Sequence, residues 1–156
     1  MQSNLIINKQ VLIGMLLVKS KYHLEVIRSN NSKVGYTVRP TIKIRGDYKL
    51  LKSISRSMYV NNIGSEHRLI LEENSTRPLP IIEIRGIKRN LSYIDSLLPQ
   101  PSVVLFPKLE QHISALEMLV AKQHLTLKGI EILMKMRGIL DGTNDDWKEK
   151  TNNTCR

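Results

Sequence analysis

The sequence predicts an α+β fold with the element order αββαββα followed by a helical extension, its four strands forming one antiparallel sheet. Three observations carry this. An unbroken apolar run, Val11 to Val18, ends in Lys19 and passes directly into the strand-like segment Tyr22 to Arg28. Strand patterns then come in two pairs, with one helix-period segment between the pairs. After the fourth strand only helix-period segments follow, as far as Leu140. One domain over residues 1–142 and a polar C-terminal tail over 143–156 account for the chain.

Residues 1 to 10 are polar and mixed, a lead-in to the first helix. That helix is apolar on every side, so it is expected to be packed all round by something else. Strand one, Tyr22 to Arg28, leads into the turn Ser29-Asn30-Asn31-Ser32, residues that adopt turn conformations at little cost. Strand two, Gly35 to Arg45, alternates. Thr37, Arg39, Thr41, Lys43 and Arg45 share one face, and Val38, Ile42 and Ile44 share the other. Gly46-Asp47 ends it, and Asp47 is placed to cap a helix from Tyr48 to Tyr59, with Leu50 or Leu51, Ile54 and Met58 inward.

Asn61-Asn62 breaks that helix. Strand three is expected from Ile63 to Leu71, with Glu73-Asn74-Ser75-Thr76 as its hairpin turn. Strand four runs from Leu79 to Arg85, its prolines near the start suiting a strand beginning, and Gly86 closes it. A helix from Lys88 to Leu98 offers Leu91, Ile94 and Leu98, and Pro99-Gln100-Pro101 stops it. The next, from about Pro107 to Gln123, puts Leu109, Ile113, Leu116 and Val120 on one stripe. Thr126 caps the last, Leu127 to Leu140, with Ile130, Leu133 and Met134 inward and Asp141-Gly142 at its end.

The charge balance points to the partner. The 156 residues carry 24 Lys and Arg against 14 acids, a net charge of +10, which suits a polyanion, nucleic acid before an anionic membrane surface. Hydrophobic residues make up 41% of the chain and aromatics only 4%, so the core is aliphatic. The single cysteine, Cys155, rules out an internal disulfide framework and fits a reducing, intracellular compartment. Cys and His do not fall at zinc-module spacings, and Val11 to Val18 is too short to cross a bilayer. The Arg, Lys and Thr side chains on the open sheet face reach far enough for phosphates and base edges.

Three segments and this element order resemble the single-motif LAGLIDADG homing endonucleases. They are VLIGMLLVKS at 11–20, RPTIKIRGDYKLLKSI at 39–54 and FPKLEQHISALEMLVAKQHLTLKGIEILMKMRG at 106–138, and with the intervening strands the resemblance covers about residues 10 to 140. It implies a saddle-shaped sheet that binds nucleic acid. It also implies a first helix that ends in an acidic ligand for the catalytic Mg²⁺. With Gly14 set on the motif's glycine, Lys19 falls on that ligand, Leu17 on the earlier acidic position and Ser20 on the closing glycine. Mg²⁺ is held by carboxylates and waters, so an ammonium repels it, and no Asp or Glu occurs between Met1 and Leu24. No catalytic residue and no metal site are therefore assigned, and no cofactor is expected.

Lys108 aligns with a lysine near the family's active site and Gln111 with a nearby polar position, which makes Lys108 a phosphate contact here. Its neighbours Glu110 and His112 read as solvent-facing. Glu25, the first acid, reads as a sheet-face residue in a salt bridge or as a displaced metal ligand. The expected nucleic-acid contacts are Lys19, Lys21, Arg39, Thr41, Lys43, Arg45, Arg68, Arg85 and Lys108. The family's first helices also pack against each other at a two-fold interface. Leu12, Ile13, Gly14, Leu16 and Leu17 are the matching positions, although Ile13 stands where a small residue allows close approach and argues against a tight homodimer. The resemblance without its metal ligand implies a protein that binds RNA rather than DNA. Its setting would be a structural component of an organellar ribonucleoprotein, such as a mitochondrial ribosome with its other proteins, or an intron maturase. The alternatives are an active, dimeric, Mg²⁺-dependent DNA endonuclease using Glu25 or Glu83, and a DNA-binding regulator.

Overall fold

A computed structural model describes residues 5–72, 76–97 and 107–141. Its elements are α1 (Lys9–Lys19), β1 (Ser20–Arg28), β2 (Tyr36–Arg45), α2 (Tyr48–Val60), β3 (Arg68–Leu71), β4 (Pro80–Arg85), α3 (Ile87–Leu97), α4 (Pro107–Val120) and α5 (Leu127–Leu140). The order matches the sequence expectation. The four strands form one sheet in the order β1-β2-β4-β3, with β4 antiparallel to both β2 and β3. The expected proline stop after α3, most of the hairpin turn before β4, and the polar tail lie outside the described residues.

The boundaries follow from local chemistry. Asp47 caps α2, its Oδ1 accepting from the Leu50 amide at 2.9 Å, and the Thr126 hydroxyl oxygen accepts from the Gly129 amide at 3.0 Å to start α5. Asn62, at φ 56°, ends the α2 turn, and Gly86, at φ 101°, closes β4. Strand three is shorter than expected. Asn62 and Gly64 both hold positive φ, and the His67 amide bonds back to the Gly64 carbonyl, so residues 63–67 turn and pairing begins only at Arg68.

By compactness the chain divides into two units, Met1–Lys21 with Thr41–Val103 and Tyr22–Pro40 with Val104–Arg156. In the first, Ile42 pairs with Ile84 and Ile44 with Ile82 across β2 and β4, and all four side chains are buried. That face is covered by helices. A Cβ placed on Gly64 would lie 2.9 Å from Tyr93 of α3, 3.1 Å from Met58 of α2 and 3.6 Å from Ile84. Leu51, Ile54 and Met58 of α2 and Tyr93, Ile94 and Leu97 of α3 complete this core, which also holds Leu12, Ile13, Leu16 and Leu17 of α1.

Within the chain, α1 is covered on all sides but one. Val11, Gly14 and Val18, spaced along one side, are exposed, Val18 at 69%. The residues expected to form an interface, Leu12, Ile13, Leu16 and Leu17, are core, and only Gly14 of that group faces outward.

In the second unit the buried stripe of α4 is Leu109, His112, Ala115, Leu116 and Leu119: Leu109 and Leu116 are buried as expected, while His112 and Leu119 take the places expected of Ile113, which is half-buried, and Val120, which is exposed. His112, expected in solvent, is buried with its ring 5.0 Å from that of Tyr22 on β1. Burial, and then the neighbouring His23, push its pKa down to about 3, so it sits in the core as a neutral ring. No helix among the described residues is long and apolar enough to cross a membrane.

Candidate nucleic-acid interface

The face of the sheet opposite the aliphatic core is built by alternation. Residues that pair across strands share a face, so Thr41 lies beside Arg85, Lys43 beside Glu83 and Arg45 beside Ile81, while Arg68 stands on the far side of Glu83. Four cations from three strands thus come together in the first unit. Arg45 and Arg68 are exposed, Lys43 and Arg85 half-buried.

Glu83 sits at the centre of this surface, 4% exposed. Arg68 Nη2 donates to one of its oxygens at 3.3 Å, and Arg85 Nη2 donates to the other at 3.3 Å. Arg45 is likewise paired, through Nη2, with Glu72 just beyond β3. The carboxylates hold the guanidinium groups in fixed directions and engage only part of each one's five-donor fork. The Arg85 Nε–H is buried and has no hydrogen-bond partner among the described residues. The surface therefore presents oriented, spare N–H donors on a positive field, the chemistry that grips phosphate oxygens and guanine edges.

Thr41, expected as a contact, is fully buried, paired across the strands with Arg85. Lys19 ends α1 half-buried, where its charge complements the helix C-terminus, and Lys21 is exposed at the start of β1. Arg39, half-buried on β2, and Lys108, exposed in the first turn of α4, belong to the second unit. Sequence reasoning placed the arginines but not their organiser. The signal was the i, i+2 spacing of Glu83 and Arg85, hidden because Ile81, Ile82 and Ile84 make β4 apolar on both faces.

The end of α1 does not fit a Mg²⁺ ion. Besides Lys19 it offers only Ser20, whose hydroxyl donates to the Leu16 carbonyl and lies 2.6 Å from the Tyr93 hydroxyl. A divalent cation of this kind needs carboxylate oxygens, and the helix end supplies none. Glu83, one of the alternative ligands, has both oxygens engaged by arginines, which a cation would have to displace.

The architecture is that of the LAGLIDADG homing endonucleases. The crystal structure of the homing endonuclease I-TnaI superposes with a TM-score of 0.74 at 14% identity, covering 96% of this chain and 99% of that one. The I-LtrWI LAGLIDADG homing endonuclease bound to target DNA matches with a TM-score of 0.68 at 18% identity, over 85% of this chain but only 43% of its own length. The archaeal intron-encoded homing endonuclease I-Vdi141I complexed with DNA matches with a TM-score of 0.68 at 14% identity, covering 86% and 82%. No protein-family model and no curated protein sequence matches the chain. At these identities the likeness is one of fold.

Proposed function

We propose that this chain binds nucleic acid through the open face of its sheet and does not cleave it. The observation that carries the reading is the pairing of an intact basic surface, Lys43, Arg45, Arg68 and Arg85, with a first helix that ends in Lys19 instead of a carboxylate. Two of the similar folds are described as bound to DNA, which supports nucleic acid as the partner of this scaffold. Lys21, exposed at the start of β1, is a further proposed phosphate contact, and within the second unit Arg39 and Lys108 are proposed as phosphate contacts of their own. RNA is the preferred partner. The chain would serve in an organellar, mitochondrial setting, as a structural component of a ribonucleoprotein such as the ribosome or as an intron maturase. The motive is that a scaffold without its metal ligand retains only the capacity to bind.

The apolar stripe Val11, Gly14 and Val18 favours a second copy of the chain as a further partner, since Gly14 leaves open space for close approach and Ile13 points inward. Recovery of the protein from its native source, with sequencing of whatever nucleic acid accompanies it, tests the whole reading. Stoichiometric ribosomal RNA or a single intron-containing transcript supports it. A free protein that cuts DNA with Mg²⁺ overturns it.

A further inference from the structure

Helix α2 carries a second charged surface, on the side of the first unit that the sheet's open face does not share. Its inner face, Leu51, Ile54 and Met58, is buried, and Met58 reaches toward Ile84 on the covered side of the sheet. At about 100° per residue, Tyr48, Lys49, Lys52, Arg56, Tyr59 and Val60 fall within an arc of roughly 120° on the opposite side. All six are exposed, both tyrosines at 55%. No acidic residue occurs between Tyr48 and Val60, and Asp47, just ahead of the helix, is engaged as its cap.

The two surfaces differ in how their charge is held. Three of the sheet-face cations are tied to Glu72 and Glu83. Lys49, Lys52 and Arg56 make no ion pair with any carboxylate among the described residues. Like charges three and four residues apart on a helix are unfavourable, so this arrangement costs stability in isolation and calls for an anion. The tyrosines narrow the choice of anion. Lys52 Nζ lies 5.6 Å over the Tyr48 ring, and the Tyr59 ring rests on His67 with centroids 4.5 Å apart, which holds each ring in place. Rigid, exposed rings interleaved with cations match a strand whose phosphates are evenly spaced and whose bases are free to stack.

We infer that the outer face of α2 is a second nucleic-acid site, which takes unpaired RNA: Lys49, Lys52 and Arg56 hold successive phosphates, and Tyr48 and Tyr59 stack bases. It extends the proposed function to another surface and does not require the sheet face to bind at all.

The test uses the full chain and two probes, a labelled single-stranded RNA of about 20 nucleotides and a duplex DNA of similar length. The triple variant Lys49→Gln/Lys52→Gln/Arg56→Gln changes only exposed side chains, and a thermal melt confirms that it folds. We expect it to weaken single-strand binding about tenfold and to lower the salt slope for that probe by about 2, while duplex binding stays within about twofold. Tyr48→Ala is expected to weaken single-strand binding about fivefold or more without changing the salt slope. Unchanged single-strand binding by the triple variant overturns the inference, as does an equal loss for both probes, which would mean one continuous site. Displacement of the RNA by polyglutamate as readily as by unlabelled RNA would assign the surface to acidic proteins and also overturn it. If Arg45→Gln/Arg68→Gln/Arg85→Gln affects neither probe while the α2 variant still weakens the RNA, the sheet reading fails and this inference stands.

Discussion

The open face of the sheet and the C-terminal end of α1 stand in the same compact unit and have opposite chemistry. On the sheet, a buried carboxylate sits among cations and organises them: Glu83 holds Arg68 and Arg85, and Glu72 holds Arg45. At the helix end a cation stands where the scaffold's enzymes are expected to carry a carboxylate, and the hydroxyl beside it is spent on Leu16 and Tyr93. A binding surface and a metal site call for different things. The first needs spare donors held in fixed directions; the second needs spare anionic oxygens. Among the described residues the sheet offers the first, and the end of α1 offers no carboxylate for the second, which is why the proposed reading separates binding from cleavage.

The largest effect is expected where the comparison is easiest to break. Replacing Arg45, Arg68 and Arg85 together by Gln should weaken binding of duplex DNA about a hundredfold and lower its salt slope by about 3, read by fluorescence anisotropy across a salt series. An unchanged slope would remove the sheet from the account.

Glu83→Ala sharpens the claim that the carboxylate is the organiser. It leaves two guanidinium groups facing each other around a vacated, largely buried site, and should cost about 2 kcal/mol in denaturant unfolding. If the variant is equally stable and binds nucleic acid more tightly, Glu83 is only an opposing charge.

The second unit supplies a contrast in pH dependence. His112 has its pKa pushed down to about 3 by burial first and His23 second, so the unfolded chain binds a proton near the ordinary value of 6.5 that the folded chain refuses. Its contribution is present above about pH 6.5 and is lost as pH falls toward 3, with a slope of up to about 1.4 kcal/mol per unit. Denaturant midpoints at several pH values should show this, and His112→Leu should flatten it; an equally steep fall in the variant would place the acid sensitivity elsewhere.

The smallest effect belongs to the helix end. Lys19→Asp removes a charge that suits the C-terminal dipole and adds one that opposes it, for a loss of about 1 kcal/mol by the same unfolding measurement. A gain in stability would mean that Lys19 is strained in place and not settled there.

Much of this was legible in the sequence, and the gaps have physical causes. The order of elements followed from period and punctuation, because Asp47, Asn62, Gly86 and Thr126 act locally. The faces of α1 and α4 did not. Hydrophobicity cannot separate residues that fill their own core, such as Leu16, from exposed ones such as Val18, and a histidine read as polar is in fact a neutral ring against Tyr22. The basic stripe of β2 was visible from alternation alone, but Glu83 was not, because which side of β4 faces out is fixed by pairing with Lys43 and Arg68, a non-local fact. The α2 cations do not stand out in the sequence because a charged outer face is what any surface helix shows; what sets them apart is the absence of an ion pair with any carboxylate among the described residues.

The central claim is binding without cleavage. The most direct measurement titrates the unmodified protein into labelled RNA and duplex DNA at rising salt, with and without Mg²⁺, following anisotropy and strand integrity together. The account predicts that affinity falls linearly on a log–log plot against salt, that RNA binds at least as tightly as DNA, and that every strand stays whole in Mg²⁺. Salt-insensitive binding, or a Mg²⁺-dependent double-strand break, would contradict it.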